Sequence, residues 1–202
     1  MKLPKTRVIT LRDSPGRTER ITEHLRDRGV EWQPFEGCDA SRWGITTTRT
    51  YELDNPGSGH IQPQKHTGLC VSHTMLWIVQ QELGLSEMCI MEDDCILHPD
   101  WEERYTEGRK FLPSDWDVYL LGSAHCNHKP KEHVGGPVWS VRWPLATHCY
   151  LVNYKALPTL IDSQRNSGAP IDIALCLRAY PLLNVYTQIP RIADQHLTPL
   201  EE

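Results

Sequence analysis

Apolar positions in this chain fall into short runs that alternate with mixed stretches of helical spacing. Thr6-Arg-Val-Ile-Thr-Leu11 is rich in β-branched residues and predicts a first strand. Ser14 followed by Pro15 predicts an N-cap with proline at the first helical position, opening a helix to about Arg28. Its apolar positions are few (Ile21, Leu25), so this is a surface helix, and Gly29 ends it. Val30-Glu-Trp-Gln-Pro-Phe35 predicts a second strand. Strand, helix, strand in this order implies a parallel βαβ unit with a ligand crevice at the strands' carboxyl ends.

Residues 41–66 carry no core pattern and predict a long loop or insertion. From Gly68 onward Leu69, His73, Leu76, Trp77, Gln80 and Leu83 recur at helical spacing. The apolar run Met88-Cys-Ile-Met91 then predicts a buried strand that stops at three acids, Glu92, Asp93 and Asp94, before apolar residues resume. A helix is expected over Pro99 to Phe111 and a strand over Asp115 to Leu121, ending at Gly122-Ser123. Val138 to Val141 and Thr147 to Asn153 read as two strands, for which a hairpin is the simplest pairing. A helix over Lys155 to Ser163, a second from Asp172 to about Tyr180 and a strand over Leu183 to Thr187 follow. Residues 188–202 read as a polar tail holding Asp194, Gln195 and His196. The alternation predicts a single α/β domain over residues 1–202.

Charge narrows the function classes. With 21 basic and 26 acidic residues the net charge is −5, so the molecule is not built to coat nucleic acid. The first twenty residues hold six basic residues (Lys2, Lys5, Arg7, Arg12, Arg17, Arg20) against Asp13 and Glu19, a local excess that marks an anion site or a solvated end. No Gly-rich phosphate loop is present. Seven scattered cysteines without a CxxC pair predict a reducing, cytoplasmic compartment. No stretch is long and apolar enough for a signal peptide or a membrane span, so any membrane contact is expected to be peripheral. His125 to His133 has zinc-ligand residue types in no closed zinc spacing and reads as a polar rim loop.

Three carboxylates ending a buried strand repel one another unless a positive group sits among them. In an extended segment Glu92 and Asp94 share one face and Asp93 points away. Oxygen ligands of this kind suit Mg²⁺ or Mn²⁺ better than zinc. A charged turn capping the next helix explains the same residues, and on the acids alone both readings stand. Acids adjacent in sequence do not provide the separation of about 5–10 Å that a two-carboxylate glycosidase needs. A binding module with purely structural acids is the third reading. His73 fits a hydrogen-bonded histidine at a helix–sheet interface better than a catalytic one.

Val8-Ile-Thr-Leu-Arg-Asp-Ser-Pro-Gly-Arg-Thr-Glu-Arg20, Phe35-Glu-Gly-Cys-Asp-Ala40, Gly68-Leu-Cys-Val-Ser-His73 with Trp77, Met91-Glu-Asp-Asp94, His148-Cys-Tyr-Leu-Val-Asn153 and Pro170-Ile-Asp172 stand in one order along the chain. That order resembles glycosyltransferase family 25, which includes galactosyltransferases of bacterial lipooligosaccharide synthesis and of collagen. The resemblance implies a GT-A-like, Rossmann-like mixed sheet flanked by helices. It also implies inverting transfer of a hexose, typically galactose, from a UDP-sugar to a glycan or glycolipid hydroxyl, with Mn²⁺ or Mg²⁺ as cofactor. On this resemblance Asp94 is a metal ligand, Glu92 reaches the metal or the donor ribose, and His196 completes the metal site. Thr10, Leu11, Arg17, Ser72, His73 and Asp93 fall to the nucleotide-sugar, and Asp172 to the base that activates the acceptor. A plain helix start explains Asp172 equally well. Lys65, His66 and Thr67 stand where relatives often carry an acid, which leaves the acceptor open. A catalytically inactive nucleotide-sugar-binding relative and a metal-dependent phosphohydrolase are the alternatives.

Overall fold

The βαβ start forms as predicted. In a computed structural model, which describes residues 1–44, 63–122, 132–165 and 167–196, β1 (Thr6–Thr10) leads through α1 (Pro15–Asp27) to β2 (Trp32–Glu36). The two strands pair in parallel from Thr6↔Trp32 to Thr10↔Glu36. Gly29 ends α1 at a φ of 65°, a conformation that costs glycine nothing. Next come α2 (Pro63–Glu82), β3 (Glu87–Glu92), β4 (Cys95–Leu97), α3 (Trp101–Phe111) and β5 (Val118–Gly122). β6 (Glu132–Gly135), β7 (Val138–Ser140), β8 (Cys149–Asn153) and α4 (Leu157–Gln164) follow. The short α5 (Ile171–Ala174) continues as a π turn, and β9 (Val185–Gln188) and β10 (Ala193–Gln195) close the chain.

One mixed sheet runs in the order β2-β1-β3-β8-β5-β9-β7-β6, and β10 pairs separately with β4. Residues alternate between its two faces. Met88 and Ile90 join Leu76, Trp77, Tyr150, Leu157 and Leu175 in a core under α2 and α4. Cys89 and Met91 join Val8, Ile21, Leu25, Trp101 and Tyr105 in a second core under α1 and α3. The six described cysteines are free, and no helix among the described residues is long and apolar enough to cross a membrane.

Four sequence expectations are corrected. The strand pair over 138–153 is not a hairpin: β7 pairs with β6 and β9, while β8 inserts antiparallel between β3 and β5. Cys149 to Val152 are buried without alternation, so β8 needs a central slot covered on both faces. The polar tail contains a strand, since Ala193 pairs with Leu97 and Gln195 with Cys95. Backbone pairing needs no apolar side chain, so composition carried no signal for it. Glu132 and His133, the end of the expected rim loop, open the edge strand β6; residues 123–131 lie outside the described residues. Finally, α2 begins at Pro63 rather than Gly68, because proline's fixed φ suits a first helical turn. Residues 45–62, the remainder of the predicted loop apart from its first turn, lie outside the described residues.

The segment after β2 is clamped onto α2. A Cβ on Gly68 would stand 2.4 Å from the Cys38 carbonyl oxygen, a backbone atom with little room to yield. Gly68→Ala is therefore expected to cost about 2 kcal/mol through overpacking. Thermal melting should show this as a fall of about 4–8 °C.

Candidate active site

The parallel strands β1, β2 and β3 end on one edge of the sheet, at Thr10, Glu36 and Glu92. β8 runs the other way and starts there, so the Glu92 N–H donates to the His148 carbonyl at 2.9 Å. Asp93 and Asp94 form the turn into β4 rather than continuing an extended strand. Pairing of β10 with β4 then brings residues 193–196 onto this turn. The His196 N–H donates to the Asp94 carbonyl at 2.7 Å, and Gln195 Nε2 donates to Asp94 Oδ2 at 2.9 Å.

Glu92 is held from two sides. Thr147 Oγ1 donates to its Oε1 at 2.7 Å, and His73 Nε2 stands 3.4 Å from the same oxygen. The latter distance is long for a hydrogen bond, yet no other acceptor reaches that buried nitrogen. Trp77 Nε1 donates to Tyr150 Oη at 3.2 Å, and Tyr150 Oη lies 2.7 Å from His73 Nδ1. If the tyrosine proton is to be used, it goes to Nδ1, which places the imidazole proton on Nε2, facing Glu92. Burial pushes the Glu92 carboxyl up, but His73, Thr147 and His148 outweigh it and hold the group below its ordinary value.

Ser72 accepts from the Cys38 N–H at 2.8 Å and donates to the Gly68 carbonyl at 2.7 Å. Ser72 and His73 are 2% and 0% exposed, so both side chains are enclosed by protein. The interface reading of His73 is the one the packing supports. Direct contact of either side chain with a donor, expected from the resemblance, has no exposed atom to make it.

Arg17 on α1 supplies the positive group among the acids. Its Nη2 contacts Asp93 Oδ1 and lies 3.4 Å from Asp94 Oδ2, so Asp93 and Asp94 converge on one guanidinium. The expected face shared by Glu92 and Asp94 is thus replaced by a turn. Burial raises Asp93 to about 6, with Arg17 opposing and the charges of Asp94 and Glu92 adding to the rise. Burial and the Glu92 charge likewise push Asp94 up. Arg12 lies 3.8 Å from Glu36, so Arg12 and Arg17 each face an acid at this edge.

Several buried polar atoms here have no partner: Asp94 Oδ1, His196 Nδ1 and both ring nitrogens of His148. Burial lowers the His148 pKa against the pull of Glu92 and Asp94. The Ala193 carbonyl also favours a proton on His148, though no contact of hydrogen-bond geometry forms. Gly122 lets these groups meet, since a Cβ there would stand 2.2 Å from His148 Nε2 and 2.5 Å from the Ala193 oxygen. Among the described residues no group of three or more His, Cys, Asp or Glu side chains is placed to hold a metal ion. Asp94 and His196 offer a smaller donor set, a carboxylate and an imidazole each with an orphaned buried atom, which phosphate oxygens and water would have to complete around an ion.

Asp172 belongs to the same edge. It is the second residue of α5, whose N-cap is Pro170, so it is not the cap itself. Its carboxylate accepts from the Ile173 N–H at 2.9 Å and from the Ala146 N–H at 3.3 Å. Consecutive residues Ala146 and Thr147 therefore tie Asp172 and Glu92 to one segment, and Ala146 adopts a left-handed φ of 71° to do so. Burial, with the Asp172 charge adding, pushes the nearby Cys70 and Cys176 thiols up to about 12 and leaves them unreactive. Sequence reasoning missed Ala146 and Thr147, which carry no recognisable motif. On the other side of the edge Thr10 and Leu11 line a groove of about 590 Å³ with Arg12, Pro15, Thr18 and Pro34.

A sheet whose parallel strands deliver acids, a basic helix start and a groove to one carboxyl edge is the GT-A-like α/β arrangement. The sequence model described as Glycosyltransferase family 25 (LPS biosynthesis protein) matches residues 3–135, and the chain belongs to that family. The bovine (Bos taurus) "Probable inactive glycosyltransferase 25 family member 3" is 23% identical over 138 residues, which cover 64% of this chain and 23% of that protein. The human (Homo sapiens) "Inactive glycosyltransferase 25 family member 3" is 24% identical over 138 residues, with the same shares of 64% and 23%. The chain thus spans about a quarter of the length of the curated relatives it matches. The crystal structure of A197 from STIV superposes with a TM-score of 0.50 at 10% identity, covering 96% of this chain and 87% of that one, a likeness of fold.

Proposed function

We propose that the chain is an inverting glycosyltransferase that moves a hexose, galactose first among the candidates, from a UDP-sugar to a hydroxyl of a glycan or glycolipid. The observation that carries this reading is the pair of orphaned atoms, Asp94 Oδ1 and His196 Nδ1, at the carboxyl edge of a family 25 fold. Asp94 and His196 would hold Mn²⁺ or Mg²⁺, whose charge would offset that developing on the departing diphosphate. Glu92, fixed by Thr147 and faced by His73, is oriented to accept from a ribose hydroxyl. Asp93 works through Arg17, which it holds at the mouth of the site. Thr10 and Leu11 line the groove for the nucleotide, and Arg17 meets the diphosphate. Asp172 takes the acceptor proton as the acceptor oxygen bonds to the anomeric carbon and UDP leaves from the opposite face, which inverts the centre.

A second reading, donor binding without turnover, is favoured by the relatives named inactive and by the guanidinium already seated on the acids. Calorimetry with UDP tests the first requirement common to both. UDP is expected to bind with Mn²⁺ present and at least about tenfold more weakly after chelation, since the ion contributes one face of the phosphate site. No UDP binding in either condition would sink both readings. Turnover in a screen of UDP-sugars then separates transfer from binding alone.

A further inference from the structure

Arg17 is in the way of the site it serves. Its guanidinium contacts Asp93 Oδ1 and reaches Asp94 Oδ2 at 3.4 Å, while Gln195 donates to that same Asp94 oxygen. Only Oδ1 of Asp94 is left for a cation, and an approaching ion meets a fixed positive charge beside it. The Arg17 side chain is 44% exposed and rises from the first turn of α1, so it has room to turn outward without disturbing a core. Once it leaves, the charge of Arg20 is still felt at Asp93. The site is also incomplete in another respect: His148 is fully buried under the same acids with both ring nitrogens unpartnered.

We propose that Arg17 is a built-in counter-ion that occupies the acid pair until a divalent cation displaces it, and that it then turns to the donor diphosphate. The inference rests on the metal-dependent reading above and adds a consequence that reading does not contain. Cation and donor bind cooperatively, because the cation frees the guanidinium that the phosphates need, and the phosphates draw it off the acids. A free cation should therefore bind poorly to the wild-type protein, and removing an arginine should improve its binding.

The probe is Mn²⁺ alone, titrated without nucleotide into the wild-type protein and into Arg17→Met. Methionine keeps the aliphatic stem and removes the charge. Arg17→Met is expected to bind Mn²⁺ about tenfold more tightly than wild type, and UDP at saturating Mn²⁺ about tenfold more weakly. Mn²⁺ affinity equal to or below wild type, at an unchanged melting temperature, would overturn the proposal while leaving the metal site standing. Unchanged UDP affinity in Arg17→Met would overturn the hand-over to phosphate. If neither protein binds Mn²⁺ with or without UDP, the metal reading falls and takes this inference with it. Arg17→Lys retains a charge and should keep most of the competition.

Discussion

Asp94→Asn is expected to remove Mn²⁺-dependent hydrolysis or transfer from a UDP-sugar, a fall of at least about a hundredfold, and to raise the melting temperature by a few degrees. Both effects have one origin. Burial and the Glu92 charge push the Asp94 carboxyl above its ordinary value, so the ionised group costs the folded chain stability at neutral pH. Asp93 is displaced the same way, from 3.8 to about 6. For an acid raised on folding, the stability contribution is full below the unfolded value and is lost as pH rises through the folded one. Asp93 should therefore make the wild-type protein progressively less stable as pH rises from about 4 to about 6, a loss that persists above that range, and Asp94 acts in the same direction. Asparagine removes the charge at 94 while its carbonyl still accepts from Gln195. The gain should accordingly be largest at pH 7 and vanish below about pH 4, which melting curves at the two pH values check. A variant that melts lower at pH 7 and retains turnover would make Asp94 a structural turn residue.

Asp172→Asn is expected to lower turnover by about a hundredfold or more, the usual contribution of a positioned general base, with UDP and Mn²⁺ affinities unchanged. The carboxylate accepts from two backbone N–H groups, Ala146 and Ile173, and asparagine offers one oxygen to the pair. A stability loss of about 1 kcal/mol is expected alongside. The readout is the split between kcat and donor binding, measured by steady-state kinetics and calorimetry on the same preparation. A fall in activity that only follows the loss of folded protein would return Asp172 to the ordinary role of a helix-start acid.

The sequence and the structure divide the site unevenly. Periodicity placed β1, α1, β2 and β3 because their patterns are local: a β-branched run, a proline-led helix, an apolar run broken by acids. The order of motifs marked the family, and Glu92, Asp93, Asp94 and Asp172 all lie at one edge. The partners of those residues were less legible. Arg17 was placed near the nucleotide, and its two carboxylate contacts depend on how α1 lies across the β3–β4 turn. Thr147 and Ala146 have no motif, and their role comes from β8 running antiparallel beside β3. His196, which lies in a polar stretch of the sequence, comes beside Asp94 through the pairing of β10 with β4.

Residue order by itself determined the α/β class, the parallel start, the acid-ended strand and the family, because each rests on spacing along the backbone or on the order of motifs. Tertiary structure alone decided which charges neutralise which, that Ser72 and His73 face inward, and that the C-terminal strand closes on Asp94. Those outcomes depend on strand order and on burial, where a distant residue's charge or carbonyl counts as much as a neighbour's, and no local pattern encodes them.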